Sequence, residues 1–146
     1  MKGRPCMNFN RLIPELSVSD YKKSLDFYVN LLGFSVAYVR EEECFALISL
    51  QGAQLMLEER NCHWETGELE HPYGRGMNLQ IEVDQVDPLV EKLQRKGYPF
   101  FRDVRENWYA VKDVLWGSRE FLVQDPDGYL LRFAEEIGVQ TSSEMP

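Results

Sequence analysis

Residue types and patterns that several functional classes require are scarce or missing in this chain. Three cysteines, an odd number at scattered positions with no CxxC pair, argue against a disulfide framework: Cys6, Cys44 and Cys62. No apolar run approaches the ~20 residues of a membrane span, and none follows the basic N-terminus as it would in a signal peptide. Glycine-rich phosphate loops are also missing. We therefore expect a cytoplasmic protein.

Positive charge is in short supply. The 146 residues carry 16 Lys and Arg against 24 Asp and Glu, which gives a net charge of −8. Such a chain repels nucleic acid and anionic lipid, so neither is an expected partner, and it favours cationic ligands. There are two histidines, and the sequence groups them with two carboxylates: His63, Glu65, Glu68 and His71. We interpret this cluster as a solvated acidic loop because a metal site there would need a flexible loop to arrange four ligands.

The most informative stretch that is present is a hairpin between Trp116 and Phe133. Asp125-Pro126-Asp127-Gly128 fits a type I turn, with Asp first, Pro second and Gly fourth. On both sides of this turn apolar residues alternate with others at a period of two, which indicates two strands with distinct faces. By contrast, residues 102–108 are polar and are predicted to form a loop.

The two halves of the chain repeat one pattern at an offset of 64 residues. Five positions match, as the following pairs: Asp20 and Asp84, Leu25 and Leu89, Val29 and Leu93, Gly33 and Gly97, Phe34 and Tyr98. Each half reads as a strand, a helix and then several strands, with the two Asp residues as predicted helix caps and the two Gly residues as predicted helix stops. With 44% apolar residues, we expect a single domain over residues 1–146. Module one covers about 10–60, module two about 76–136, and 138–146 is a frayed tail.

Large aromatic residues occur outside the predicted helical cores. Trp108, Tyr109 and Trp116 lie in or beside polar loop sequence, where a large ring has less core to join. Aromatic walls with a few polar groups are typical of a groove for a flat organic ligand. Acidic residues beside them would attract a cation, and Glu58 and Glu120 are the candidates.

Several motifs resemble those of one known superfamily. The first-helix segment Leu16–Tyr28 and the Asp125–Gly128 turn are similar to sequences of the glyoxalase/bleomycin-resistance/extradiol-dioxygenase (vicinal oxygen chelate) superfamily. Ile13–Leu16, Leu55–Glu58 and Trp116–Phe121 look most like its bleomycin-resistance branch. The resemblance covers roughly residues 10–136. It implies an α+β fold in which two βαβββ modules form curved mixed sheets around a groove.

Metal-dependent members of that superfamily place His, Gln or Glu at four inward strand positions. By resemblance those positions here are Ile13, Met56, Asn78 and Arg132. Ile has no donor atom, thioether Met suits Cu(I), Asn is a weak neutral ligand and Arg is a permanent cation. We therefore expect no metal, no cofactor and no catalytic residue.

The sequence favours a binding protein over an enzyme. The main hypothesis is a homodimer that sequesters a cationic aromatic antibiotic of the bleomycin class in grooves shared between subunits. The alternatives are a metal-dependent lyase, isomerase or dioxygenase of the same fold, and a binder of an unrelated small ligand. The candidate ligand-binding residues are Trp116, Trp108, Tyr109, Trp64, Tyr38, Phe45, Met56, Glu58, Asn78, Glu120 and Arg132.

Overall fold

Two four-stranded sheets make up the framework in the computed structural model, which describes residues 7–141. The first sheet has the order β1-β4-β3-β2. Its strands are β1 (Glu15–Val18), β2 (Ser35–Arg40), β3 (Phe45–Leu50) and β4 (Ala53–Glu59). The edge strand β1 pairs in parallel with β4, and the other neighbours are antiparallel.

The second sheet repeats this arrangement, with the order β5-β8-β7-β6 and a parallel edge pair of β5 with β8. Its strands are β5 (Asn78–Glu82), β6 (Arg102–Val111), β7 (Val114–Gln124) and β8 (Leu130–Thr141). The α+β fold of two βαβββ modules is therefore confirmed. Equivalent strand orders also account for the 64-residue repeat.

One helical segment precedes the antiparallel strands in each module. Helix α1 (Tyr21–Leu25) begins after Asp20, whose carboxylate accepts from Lys23 N, and continues as a π-helix over Asp26–Leu31. Helix α2 (Asp87–Lys96) ends at Gly97, which is left-handed, as is Gly33 after the π-helix. Asp84, the repeat partner of Asp20, does not cap α2, because Val86 holds the cap position.

A single hydrophobic core joins the two modules. It lies between the helices and one face of each sheet, and its fully buried members come from both halves, for example Leu57 and Phe133. The predicted β7–β8 turn is confirmed, since Gly128 N donates to Asp125 O at 2.9 Å. Asp127 of this turn accepts from Ser19 N and Ser19 Oγ in the first module, so the turn also fixes the modules to one another.

The structure corrects two predicted segments. Residues 102–108, predicted as a loop, belong to β6, an edge strand that pairs with β7 alone. Residues 138–141 of the predicted frayed tail continue β8, where Val139 pairs with Trp116 and Thr141 with Val114. The rest of that tail, like Cys6, lies outside the described residues. No helix within residues 7–141 is long and apolar enough to cross a membrane.

Candidate functional site: the non-core faces of the two sheets

The predicted ligand-binding residues of the first module share the side of its sheet that faces away from the core. Leu55 and Leu57 of β4 point into the core, so strand alternation places Met56 and Glu58 on the opposite side. The register sets Phe45 opposite Glu58, and Tyr38 and Met56 both opposite Leu47. We call Tyr38, Phe45, Met56 and Glu58 the first non-core face.

Phe45 is almost fully buried on this face, although it lies outside the main core. The Arg40 guanidinium carbon lies 3.7 Å from the centroid of its ring, and the ring of Tyr38 is at 5.7 Å. Arg40 also donates through Nε to Glu43 at 2.7 Å. Phe45 therefore acts as the floor of the face, beneath a cation and a second ring.

Glu58 is the central acid of the first non-core face. Its side chain is buried, and its two carboxylate oxygens accept from Asn61 Nδ2 at 3.0 Å and from Trp64 Nε1 at 3.2 Å. Burial raises the pKa of neighbouring Glu15, and the charge of Glu58 raises that pKa further. The hydrogen bond to Glu58 fixes the indole of Trp64 beside this carboxylate, while 64% of the residue stays exposed.

A cleft of about 520 Å³ opens beside Glu58 and Trp64. Its walls come from the turn before β3, the end of β4 and the following loop: Glu42, Glu43, Cys44, Glu58, Glu59, Arg60, Asn61, His63 and Trp64. Four of these side chains are glutamates, whereas the one arginine donates through Nε to Glu65 at 2.8 Å. This acidic cleft can hold a cation against an exposed indole.

Sequence reasoning found Glu58 and Trp64 but missed the other walls of the acidic cleft. Glu42 and Glu43 belong to a run of three glutamates, a signal that the sequence does contain. Their approach to Glu58 depends on the β3–β4 pairing, in which Phe45 lies opposite Glu58.

Five candidates in the second module lie on the side of its sheet that faces away from the core. Phe121, Val123 and Phe133 point into the core, so alternation and register place Glu120, Arg132, Asn78, Tyr109 and Trp116 on the other side. We call these five residues the second non-core face. Trp116 and Tyr109 are paired residues on β7 and β6 and are 40% and 39% exposed.

Glu120 is the hydrogen-bonding centre of the second non-core face. Its Oε1 accepts from Asn107 Nδ2 at 2.9 Å and from the Tyr109 hydroxyl, and its Oε2 accepts from Ser118 Oγ at 3.0 Å. Burial, followed by this contact with Glu120, raises the pKa of Tyr109. Arg132 approaches more loosely, with Nη1 at 3.9 Å from Glu120 Oε1. Arg119, the neighbour of Glu120 on β7, points to the core side and binds Asp87 at 2.5 Å.

Trp108 lies on a different side from the other second-module candidates. It pairs with Gly117, and a Cβ added at Gly117 would lie 2.7 Å from the Trp108 ring. The ring therefore covers Gly117 on the side of the sheet opposite Tyr109 and Trp116. Trp108 packs directly on Gly117, where a larger residue would clash with the ring.

The four positions that resemble metal-ligand positions lie in both halves of the chain. Met56 belongs to the first non-core face and Asn78 and Arg132 to the second, while Ile13 precedes β1. A thioether, an amide and a guanidinium do not suit a divalent cation. Within residues 7–141 no group of three or more His, Cys, Asp or Glu side chains is placed to hold a metal ion.

Comparisons with known proteins place this architecture in one family. The sequence profile of the Glyoxalase/Bleomycin resistance protein/Dioxygenase superfamily matches residues 9–133. The chain belongs to this superfamily. It is 30% identical over 134 residues to a bleomycin resistance protein of Geobacillus stearothermophilus, covering 86% of this chain and 96% of that relative. It is 27% identical over 128 residues to a lactoylglutathione lyase of Neisseria meningitidis, with coverages of 83% and 86%.

Solved structures agree on the fold. TioX from Micromonospora sp. ML1 superposes with a TM-score of 0.67 at 18% identity, covering 88% of this chain and all of that one. A virulence protein from Salmonella typhimurium gives a TM-score of 0.65 at 20% identity, covering 90% and 100%. A bleomycin resistance protein and a lactoylglutathione lyase both occur among the relatives, so membership alone leaves the activity open.

Proposed function

We propose that this superfamily member binds and sequesters a cationic aromatic small molecule of the bleomycin class, without chemical conversion. The observation that carries the proposal is the acidic cleft. There Glu58 holds the exposed indole of Trp64 by a 3.2 Å hydrogen bond, and three more glutamates line the walls. A flat cation could stack on the indole while the carboxylates attract its charge. The 30% identity to a bleomycin resistance protein supports the choice of ligand.

The proposed binding unit is a symmetric homodimer in the cytoplasm. Each non-core face exposes aromatic residues, Trp64 beside the first and Trp116 in the second, with 64% and 40% of their surfaces accessible. If the first face of one subunit lay opposite the second face of its partner, both would become walls of a shared groove. Two equivalent grooves would result from the twofold axis.

Lyase chemistry is the second candidate because a lactoylglutathione lyase is among the relatives. Metal-dependent members of this superfamily need metal ligands for that chemistry. By resemblance, the residues at the ligand positions here are Ile13, Met56, Asn78 and Arg132. They supply no imidazole or carboxylate. For this reason binding without catalysis is the better-supported proposal.

A titration with copper-free and copper-loaded bleomycin, followed by tryptophan fluorescence, tests the proposal. Glu58→Gln should weaken binding by about tenfold, a typical loss when a charged contact is removed, and added salt should weaken wild-type binding. Glu91→Gln is the matched control because it removes the same charge from an exposed position on α2. Equal affinities for both variants and the wild type, or no binding by the wild type, would contradict the proposal.

A further inference from the structure

Arginine side chains concentrate at one end of the second sheet. Arg132 on β8 lies opposite Leu122 on β7, and Leu122 lies opposite Arg102 on β6. On the other side of β8, Gln80 of β5 pairs with Arg132. Paired residues share a face, and neighbouring strands are ~5 Å apart, so the two arginines flank Leu122 with their Cα atoms ~10 Å apart.

No carboxylate occurs in this cross-strand row or in the adjoining row toward the turn. The adjoining row consists of Asn78, Leu130 and Gln124. The acids of the face begin in the next row on the other side, where Glu82 of β5 and Glu120 of β7 both pair with Ala134. In a chain of net charge −8, this end of the sheet therefore presents two cations and several amides. Leu122, which is 7% exposed, forms an apolar floor between them.

The guanidinium of Arg132 has hydrogen-bond donors that the described part of the chain leaves unused. Its Nε is buried and has no hydrogen-bond partner among residues 7–141. Its only ion pair in that part of the chain is the 3.9 Å approach of Nη1 to Glu120 Oε1, longer than a hydrogen bond. Because Glu120 already accepts from Asn107, Tyr109 and Ser118, it has little capacity left to bind Arg132.

A guanidinium that lacks hydrogen-bond partners in its own chain is suited to bind an oxyanion of a ligand. Its planar fork matches the two oxygens of a carboxylate or two oxygens of a phosphate or sulfonate, and charged hydrogen bonds of this kind are roughly twice as strong as neutral ones. Lys would offer a point charge instead. The amides of Asn78 and Gln80 lie on the neighbouring strand, where they could donate to the same group.

We propose that Arg132, with Arg102 across Leu122, forms a subsite for an acidic group of the ligand. The physiological ligand then carries an oxyanion as well as the positive charge that the acidic cleft selects. The acidic cleft belongs to the first module and the arginines to the second, so different modules bind the positive charge and the oxyanion of the ligand. This inference rests on the proposed function in one respect, that the ligand is a small molecule.

Calorimetric titration with two probes of equal shape tests the subsite. 1-Naphthoate carries the acidic group, and 1-naphthamide replaces it with a neutral one. The wild type should bind naphthoate about tenfold or more tightly than naphthamide, and Arg132→Gln should abolish that preference. Arg132→Lys should retain part of it, since the charge remains and the fork is lost.

Arg119→Gln is the control variant. Arg119 lies on the core side of the same sheet and binds Asp87, so its loss removes an equal charge without touching the subsite. If Arg132→Gln does not fold, as judged by its melting curve, Arg102→Gln provides the same comparison. Equal affinity for the two probes, failure of the wild type to bind naphthoate at millimolar concentration, or the same loss in Arg119→Gln as in Arg132→Gln would overturn the proposal.

The result separates the subsite from the proposed function. Arg132-dependent binding of naphthoate together with no binding of bleomycin would keep the subsite and reject the bleomycin-class ligand. Binding of bleomycin with no preference between the two probes would keep the proposed function and reject the subsite.

Discussion

Asp125, at the start of the β7–β8 turn, should make the stability of the protein depend on pH. The residue is 3% exposed, and its carboxylate accepts from the Tyr28 hydroxyl at 2.8 Å and from the backbone N–H groups of Asp127 and Tyr129 at 2.9 Å. Burial nevertheless outweighs these hydrogen bonds and raises the pKa of Asp125 from 3.8 to about 6.

The direction of the effect follows from proton binding. Between pH 4 and pH 6 the folded protein holds a proton on Asp125 that the unfolded chain has largely lost. The free energy of unfolding should therefore fall as pH rises through this window and level off above it. A pKa difference of about two units corresponds to a fall of roughly 3 kcal/mol.

Asp125→Asn isolates this contribution from the other titrating groups. The amide oxygen can still accept from the two backbone N–H groups, and the amide nitrogen can donate to the Tyr28 hydroxyl oxygen. In urea unfolding at pH values from 4 to 7, the free energy of unfolding of the wild type should fall with rising pH relative to that of Asp125→Asn. Asp113→Asn, at an exposed turn, should follow the wild type. Parallel curves for wild type and Asp125→Asn would refute the reasoning.

Four further outcomes are expected. Trp116→Ala should cost less than the ~3–5 kcal/mol of a buried aromatic, because the residue is 40% exposed. The same change should reduce ligand affinity by ~1–3 kcal/mol, as melting and titration of one sample will show. Gly117→Ala should lower stability by ~1–3 kcal/mol, since its Cβ would lie 2.7 Å from the Trp108 ring, whereas Gly67→Ala meets nothing within 4 Å and should be neutral in urea unfolding. Elemental analysis after purification without chelator should find no stoichiometric divalent metal, and one Zn, Ni, Mn or Fe per chain would contradict this. Sedimentation at micromolar concentration should give a dimer, and a monomer of 17.1 kDa would count against shared grooves.

Local chemistry explains the parts of the fold that the sequence predicts well. The turn at Asp125–Gly128 and the cap at Asp20 each depend on a hydrogen bond between residues three apart in the sequence. Gly33 and Gly97 end helical segments by adopting left-handed backbone at equivalent points of the repeat. Because these interactions lie within a few residues, they can be recognised before any tertiary contact is known.

Long-range pairing explains what the sequence does not predict. Strand β6 is an edge strand with many polar residues, so residues 102–108 lack the alternation of a half-buried strand and resemble a loop. The opposite orientations of Trp108 and Tyr109 follow from pairing with Gly117 and Trp116. The partners of Glu120 likewise become visible only when β6 and β7 are in register. The residue types on the two non-core faces can thus be predicted from the sequence, whereas their cross-strand neighbours cannot.

The central claim is stoichiometric capture of a bleomycin-class molecule without chemical change. Equilibrium dialysis against bleomycin, followed by mass spectrometry of the recovered antibiotic, tests both parts in one experiment. We expect saturable retention of one molecule per chain and recovery of bleomycin with its mass unchanged. Failure to retain bleomycin at micromolar protein concentration, or recovery of a product with a different mass, would contradict it.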